Sequence, residues 1–278
     1  MPAVYTHYRF GKAVETQLPK YLQEILRERP EAFALGTQGP DILFYHKITK
    51  RNAVRQRGWD LHAVAAEDFF VNAAKEIALA KTNNEPLLSA LTAYVCGFLC
   101  HFTLDISCHP YIDNHSQGTF THGKIESELD KYFLRKDSLP IRGYNTTTPI
   151  SGENGTIEAC ATILDVSTDA IALAIQSIKK INGWFSSKCE PFHALAHVVL
   201  TIAGLERKFG DMFLHKKDDP RFQGLGEELE TLWQNAVPKA AEIITNFFEN
   251  MDATLENGNI QDAVFRHNYS GLIENPST

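Results

Sequence analysis

Histidines and carboxylates are concentrated in one stretch of the chain, residues 101–126, which reads HFTLDISCHPYIDNHSQGTFTHGKIE. Two histidine–carboxylate pairs in this stretch, His101 with Asp105 and His122 with Glu126, are four residues apart. On a helix, that spacing places both side chains of a pair on one face. Imidazole and carboxylate groups together form a ligand set that suits zinc. The stretch therefore predicts most of a zinc site with more than one ion, and other parts of the chain must supply the remaining ligands.

An apolar run, residues 94–99, leads directly into the first of these pairs. Ionisable groups do not normally follow such a run, because removing a charge from water costs much free energy unless a partner compensates it. A bound metal ion is the usual compensation at such a place. The run therefore strengthens the prediction of a metal site.

Three residues outside the stretch are further candidates, and two of them, Asp41 and His62, have a purely structural alternative. Asp41 follows two glycines and a proline in GTQGPDI, which indicates a constrained loop but also suits a turn residue or a helix N-cap. His62 begins the apolar face of a predicted helix, where a satisfied core histidine is the commoner role. His7 lies close to the start of the chain.

A second histidine pair, His193 with His197, is also four residues apart. A metalloprotease helix would read His-Glu-x-x-His, with the glutamate acting as the base, and Ala194 occupies that position here. We interpret this pair as a packing or capping feature rather than as metal ligands.

Composition bounds the class of protein. The 278 residues are 44% hydrophobic with a net charge of −7, which disfavours a protein that coats nucleic acid. The five cysteines include no CxxC pair and predict buried, reduced thiols. The opening MPAVYTHYRF does not resemble a signal peptide, and no window is judged apolar enough to span a membrane. These features predict a cytoplasmic location.

The periodicity of apolar residues predicts an all-α fold with a single domain over residues 1–278. We expect helices over residues 12–28, 59–81 and 87–107, with Cys108-His109-Pro110 ending the third. A helix from Thr121 onward carries His122 and Glu126, and three more cover residues 156–182, 186–209 and 222–250, with a short one near 260–268. Asp60 and Thr121 are predicted N-caps. Residues 137–155 are predicted to be irregular, and the basic segment 47–58 a loop, either a solvated face or a rim attracting an anionic substrate or membrane.

Three segments resemble the bacterial zinc-dependent phospholipase C family, within the phospholipase C and P1 nuclease superfamily: THYRFGKAV, GTQGPDILFYH and HFxxDxxCHP. The resemblance covers about residues 1–135 and implies an all-α, multi-helix domain with a cluster of two to three Zn²⁺ ions in a cleft. Carried over residue by residue, it implies three ligand sets: Asp41, His62, His101 and Asp105 for the first ion, His109, His122 and Glu126 for the second, and His7 with Asp105 and the amino terminus for the third.

The third set departs from the family pattern. In secreted relatives, signal cleavage exposes a tryptophan whose amine and carbonyl bind the third zinc. Here Met1 is followed by Pro2, so removal of the initiator methionine would leave a proline nitrogen at the amino terminus. Pro2 is therefore our candidate for the remaining ligand of that ion.

The resemblance implies a phosphodiester hydrolase that acts on a phospholipid head group or a soluble phosphodiester. A hydroxide bridging two zinc ions would attack phosphorus, and Asp41 would orient or deprotonate the water. Asp130, one turn beyond Glu126, is a candidate to fix a histidine tautomer, with a surface acid as the simpler interpretation.

Two alternatives are open. One is a single-strand nuclease or nucleotide phosphodiesterase on the same zinc cluster, with Phe44, Tyr45, Tyr111 and Phe120 as base-stacking candidates that could equally pack in the core. The other is a non-catalytic zinc-binding member.

Overall fold

Helices account for nearly all regular structure in this computed structural model, which describes residues 3–118, 120–202, 210 and 219–273. Within those residues the chain forms no strand, and His267 and Ile273 make an isolated bridge. The prediction of an all-α fold is confirmed. The α-helices are α1 (Val4–Glu15), α2 (Lys20–Glu28), α3 (Pro30–Gly36), α4 (Ala53–Ala63), α5 (Glu67–Asn83), α6 (Glu85–His115), α7 (His122–Lys136), α8 (Thr156–Leu164), α9 (Thr168–Phe185), α10 (Glu190–Ile202), α11 (Gln223–Glu249) and α12 (Met251–Asn257). Three 3₁₀ segments are η1 (Gly39–Tyr45), η2 (Pro220–Phe222) and η3 (Ala263–Arg266).

The long helix α6 is the centre of the fold. It is apolar around most of its circumference, so it needs partners on every side. It packs against α1, α2, α3, α5, α7, α8 and α11. The residues buried around it belong to one hydrophobic cluster that includes members of most of the other helices. Any side chain that α6 directs outward at its carboxyl-terminal half is therefore held in a fixed place.

The same helix corrects one expectation. Pro86–His115 is long and apolar enough to cross a membrane by length and composition, so the prediction that no window has this property is wrong. In the structure, 83% of that window is buried inside the protein. The core helix of a folded domain meets the same test, and burial on this scale is what such a helix shows.

The helices α3 and α6 touch through their backbones. A Cβ atom built on Gly36 would lie 2.1 Å from the carbonyl oxygen of Tyr94, and one built on Gly97 would lie 2.3 Å from that of Phe33. Only two glycines facing each other permit this approach. The contact brings the end of α3, and the η1 segment after it, close to the middle of α6.

Two predicted helices are divided in the structure. The helix expected over residues 12–28 is wrong in its bounds, because α1 begins at Val4 and Pro19 stands immediately before α2. Proline lacks the N–H that a continuous helix would need at that point. The helix expected over residues 156–182 is also two helices, since Asp165 adopts a left-handed conformation with φ of 55° between α8 and α9.

The helix expected over residues 59–81 is wrong as well. α4 begins at Ala53, inside the segment predicted as a basic loop, and Asn52 rather than Asp60 caps it by accepting a hydrogen bond from Arg55 N (3.1 Å). The chain is extended at Val64 before α5 begins. His62 therefore lies on the last turn of α4, one helix earlier than the pattern indicates.

The predicted end of α6 at Cys108-His109-Pro110 is wrong too, because the helix continues through Pro110 to His115. A proline inside a helix costs about 3 kcal/mol. Burial of Cys108 and Ile112 on either side of it offsets that cost. As a result His109 stays on the same helix face as Asp105.

Other expectations agree with the structure. Thr121 caps α7 by accepting a hydrogen bond from Lys124 N (3.1 Å), and no helix interrupts residues 137–155. α11 covers most of the helix predicted over residues 222–250 and continues through Pro238. The short helix predicted near 260–268 is instead the 3₁₀ segment η3. α10 covers part of the helix predicted over 186–209, and residues 203–209 of that prediction lie outside the described residues.

We predict that Gly97→Ala lowers the free energy of unfolding by about 1–3 kcal/mol, because the new methyl group must push α3 away from α6. The matched control is Gly183→Ala on α9, where a Cβ meets no atom within 4 Å. That variant should be more stable by up to about 1 kcal/mol, the usual preference of a helix for alanine. Denaturant unfolding of both variants measures the difference, and a stabilised Gly97→Ala protein would contradict the backbone contact.

Candidate metal centre

Five elements deliver the eight predicted ligand residues to one region. α1 carries His7, η1 carries Asp41 and α4 carries His62. The remaining five lie on two helices, His101, Asp105 and His109 on α6, and His122 and Glu126 on α7.

The structure brings these residues together in three groups whose potential ligand atoms lie within 4.8 Å of one another. The groups are His7, His101 and Asp105; Asp41, His62 and His101; and His109, His122 and Glu126. His101 belongs to the first two groups, so these groups share one potential ligand residue.

Asp105 lies where the groups meet. Its side chain is 3% exposed and faces three imidazoles. Oδ2 lies 3.0 Å from Nε2 of His101, while Oδ1 lies 3.4 Å from Nε2 of both His7 and His109. One carboxylate on α6 therefore connects α1 with two successive turns of its own helix.

Two more carboxylates complete the arrangement. Oε1 of Glu126 lies 3.3 Å from Nε2 of His122 and 3.9 Å from that of His109. Oδ1 of Asp41 lies 3.2 Å from Nε2 of His62. Every carboxylate of the site thus faces the Nε2 atom of at least one histidine.

The other ring nitrogen, Nδ1, is occupied in four of these five histidines. Nδ1 donates to a backbone carbonyl in His62 (Gly58, 2.7 Å), His101 (Thr37, 3.2 Å) and His109 (Tyr269, 2.8 Å). In His122 it meets Oδ1 of Asp113 at 2.8 Å. An imidazole whose Nδ1 carries the proton presents an unprotonated Nε2 when it is neutral. Second-shell partners of this kind orient histidines that bind metals.

These features fit zinc. The Nε2 of His101 is buried and makes no hydrogen bond, although Asp105 Oδ2 lies 3.0 Å away. A cation that binds both atoms would satisfy this arrangement. In a tetrahedral zinc site with bonds of about 2.0–2.2 Å, neighbouring ligand atoms are separated by about 3.3–3.5 Å. Most of the nitrogen–oxygen distances here are close to that range.

The electrostatics of the three acids also favour a cation. Burial raises the pKa of Asp105, but the His101 and His109 imidazoles outweigh it and hold that pKa well below its ordinary value. Burial also raises the pKa of Asp41, but its hydrogen bond with His62 acts against burial, and the pKa lies well below its ordinary value. Glu126 likewise keeps a pKa far below normal despite its burial, with His109 and His122 beside it. The acids are therefore ionised at neutral pH.

The histidines respond to the same charges. Burial lowers the pKa of His109, but Asp105 and Glu126 outweigh it and raise the pKa to about 9. Burial and the neighbouring His101 lower the pKa of His7 to about 4. His7 thus remains a neutral imidazole and is stacked on His101 with ring centres 4.3 Å apart.

A glycine permits η1 to reach this region. Gly39 has φ of +52°, a conformation that costs other residues free energy. A Cβ atom on it would lie 2.2 Å from the His101 ring. The glycine of GTQGPDI therefore lets the backbone before Asp41 lie directly on an imidazole.

Tyr269 belongs to the site and was missed by the sequence reasoning. Its carbonyl accepts the Nδ1 hydrogen of His109, and its buried ring lies 5.0 Å from His62 and 5.9 Å from His101. The contact spans 160 residues along the chain. A backbone carbonyl has no sequence signal, so no motif could have revealed it. Asp113 was also missed, although it lies in the histidine-rich stretch.

Asp130 has a different role from the one predicted. It is 3% exposed, so the surface interpretation is wrong, and its recorded hydrogen bonds are to α1 rather than to a histidine. Oδ1 accepts from Thr6 N (2.8 Å) and Thr6 Oγ1 (2.6 Å), and Oδ2 accepts from Tyr5 N (3.2 Å). Ala3, at the N-cap of α1, offers no side-chain hydrogen bond. A residue of α7 therefore caps α1, immediately before His7.

Burial raises the pKa of Asp130 to about 7, although the hydrogen bonds from Thr6 act against that shift. A second acid, the C-cap residue of α7, strengthens the same contact. Asp137 accepts hydrogen bonds from Tyr5 Oη (2.5 Å) and from Arg9 Nε (2.7 Å). The first helix is thus attached to α7 at two points one to two turns apart.

Other candidates are absent from the three ligand groups that the described residues form. His193 is buried, and its Nε2 donates to the Ser187 carbonyl (2.8 Å), while the side chain of His197 lies outside the described set. Three of the four base-stacking candidates, Phe44, Tyr45 and Phe120, are at most 5% exposed and pack in the core. Pro2 lies outside the described residues.

Comparison with known families agrees with this geometry. The family described as zinc-dependent phospholipase C matches residues 6–183, more than half of the chain. The chain belongs to that family. A search of curated proteins and a search of solved structures each find no match.

We predict that Asp130→Ala lowers the free energy of unfolding of the metal-free protein by about 2–3 kcal/mol, because two N–H groups of α1 and one hydroxyl lose their acceptor. Asp169→Ala is the control, since that acid is exposed in the first turn of α9. Its effect should stay below about 1 kcal/mol. Denaturant unfolding in the presence of a chelator compares them, and equal effects would contradict the capping role.

Proposed function

We propose that this chain is a zinc-dependent phosphodiester hydrolase of the phospholipase C type. One observation carries the proposal: four imidazoles have Nδ1 engaged by a partner, and their Nε2 atoms face carboxylates at 3.0–3.4 Å. A cluster of cations satisfies this arrangement, and family membership supports zinc as the ion.

The proposed ligand sets are those that the family resemblance implies, and they overlap the three groups of residues, with His101 assigned to the first ion and Asp105 shared by the first and third. Asp41, His62, His101 and Asp105 hold the first ion, His109, His122 and Glu126 the second, and His7 with Asp105 the third. When bound, zinc supplies a water of lowered pKa and neutralises charge on the phosphoryl group.

The chain's own residues position the reactants. Asp41 is the most accessible of the three acids, with 18% of its side chain exposed. We propose that Asp41, besides binding metal, orients or deprotonates the attacking water. Asp105 and Glu126 are too buried for that role and serve as ligands that balance charge.

A phospholipid is the substrate that family membership favours. The nuclease alternative is weakened because three of its four proposed stacking residues have no exposed face. The five cysteines are all free thiols, which supports a reducing compartment such as the cytoplasm as the proposed location. Four of them are buried as predicted, but the prediction is wrong for Cys189, which is exposed.

Metal analysis and a substrate panel on one preparation test this function. The panel contains phosphatidylcholine, an anionic phospholipid, single-stranded DNA and a chromogenic phosphodiester. We expect two to three zinc ions per chain and hydrolysis of the phosphodiesters. Fewer than two ions together with no turnover would refute the enzyme assignment, and turnover of DNA alone would favour the nuclease alternative.

We predict that Asp105→Asn removes at least one zinc ion per chain and lowers hydrolysis by more than about 100-fold. Loss of an outer-shell partner alone already costs about 10–100-fold, and Asp105 faces three of the imidazoles directly. His193→Ala should leave the zinc content per folded chain and the specific activity nearly unchanged. Zinc bound per chain and the rate with the chromogenic phosphodiester report the result, and the opposite pattern would place the metal at the wrong histidines.

A further inference from the structure

A strongly basic segment connects η1, which carries Asp41, with α4, which carries His62, and has no role in the proposed chemistry. Residues 47–57 contain five lysines and arginines and no acid, in a chain whose net charge is −7. Lys47, Lys50 and Arg51 are exposed. None of these three pairs with an acid in the part of the chain that the structure describes. Their charges are therefore available to a partner.

The segment is folded rather than loose. Arg55 Nη1 donates to the carbonyls of Ile48 (3.0 Å) and Lys50 (3.2 Å), and Asn52 Oδ1 both caps α4 and lies 2.9 Å from Nδ1 of His46. Arg55 thus stabilises the loop through these hydrogen bonds and is not counted among the exposed cations. The three exposed cations are displayed from a fixed position at the amino-terminal end of α4.

Two exposed apolar side chains lie on the same helix and directly after it. Trp59 is 54% exposed and Val64 is 48% exposed. The Trp59 ring lies 4.4 Å from Phe44, which in turn lies 5.4 Å from His62. The exposed indole therefore lies at the edge of the metal centre, about 9 Å along α4 from the helix start beside the cations.

We propose that Lys47, Lys50, Arg51, Trp59 and Val64 form a docking rim that binds the surface of an anionic phospholipid bilayer. Basic side chains are attracted by anionic head groups, and an indole prefers the boundary between head groups and acyl chains. The inference rests on the proposed function, because a bilayer is the form in which a phospholipid substrate occurs. A single-stranded nucleic acid would use the cations and the indole, but it offers nothing to the aliphatic Val64.

The expected loss of membrane affinity follows from the number of charges removed. Each lysine or arginine near an anionic membrane changes affinity by a factor of about five. Removing three of them should weaken binding on the order of 100-fold. Because the charges are exposed, the binding should also weaken as the salt concentration rises.

The experiment measures cosedimentation of the zinc-loaded, full-length chain with extruded vesicles of phosphatidylcholine containing 30% phosphatidylserine, and with vesicles of phosphatidylcholine alone. The test variants are K47Q/K50Q/R51Q and W59A. The matched controls are K20Q/K75Q/K81Q, which removes the same charge from exposed positions on α2 and α5, and L79A, whose side chain is 55% exposed on α5.

We expect the wild-type chain to prefer the anionic vesicles, K47Q/K50Q/R51Q to lose about 100-fold in affinity, W59A to lose at least several-fold, and both controls to bind as the wild type does. Equal binding by the rim variants and their controls would overturn the proposal. So would equal binding of the wild type to both vesicle types, or displacement of the chain from vesicles by an equimolar amount of oligo-dT.

A second measurement separates this inference from the function on which it rests. The rate with a water-soluble chromogenic phosphodiester should be the same for K47Q/K50Q/R51Q and the wild type, while hydrolysis of the anionic vesicles falls. Rim-dependent vesicle binding without any phosphodiester turnover would support docking and refute the proposed function. Turnover of the soluble diester without rim-dependent binding would do the reverse.

Discussion

The buried charge of Asp105 is the constraint on which the structure depends. An ionised carboxylate at 3% exposure is stable only where positive charge or strong donors surround it. The chain meets this need by bringing imidazoles from α1 and from two turns of α6 to within 3.4 Å of its oxygens. That arrangement requires α6 to be the central helix and α1 to lie against it. The packing of α1 against α6 and the ligand composition of the metal centre therefore both follow from the need to compensate the charge of Asp105.

Much of the remaining fold fixes the direction of imidazole rings. The four groups that occupy Nδ1 come from α4, from the turn after α3, from α6 and from residue 269 in the chain after η3. Each sets one tautomer. The Gly58 acceptor lies on the helix of His62 itself, while the other three acceptors come from a different element than the histidine that they orient. The backbone contact of α3 with α6 through Gly36 and Gly97 matters here, because it places the Thr37 carbonyl beside His101. A metal centre of this kind draws its rigidity from the whole domain rather than from the ligand residues alone.

Local periodicity explains which parts of the site were visible in the sequence. The pairs His101/Asp105 and His122/Glu126 are helical neighbours, so their spacing alone places them on common faces, and Thr121 marks the start of α7 by its side chain. The helix that carries His62 was harder to predict from the sequence, because α4 ends before Val64 without a proline or glycine to mark its end. The helix also passes Pro110, since tertiary burial outweighs a local preference. Asp130 escaped notice as a cap because its partners on α1 lie more than 120 residues away.

The carbonyl of Tyr269 has a consequence for how such proteins diverge. The family match ends at residue 183, yet an oxygen 86 positions further on orients a histidine of the site. A main-chain oxygen is present whichever amino acid occupies the position, so substitution there changes the ring that packs on His62 and leaves the acceptor in place. Evolution can rewrite the carboxyl-terminal sequence while the backbone path is preserved. The part of the chain beyond the family match can in this way keep its contact with the metal centre while its sequence changes.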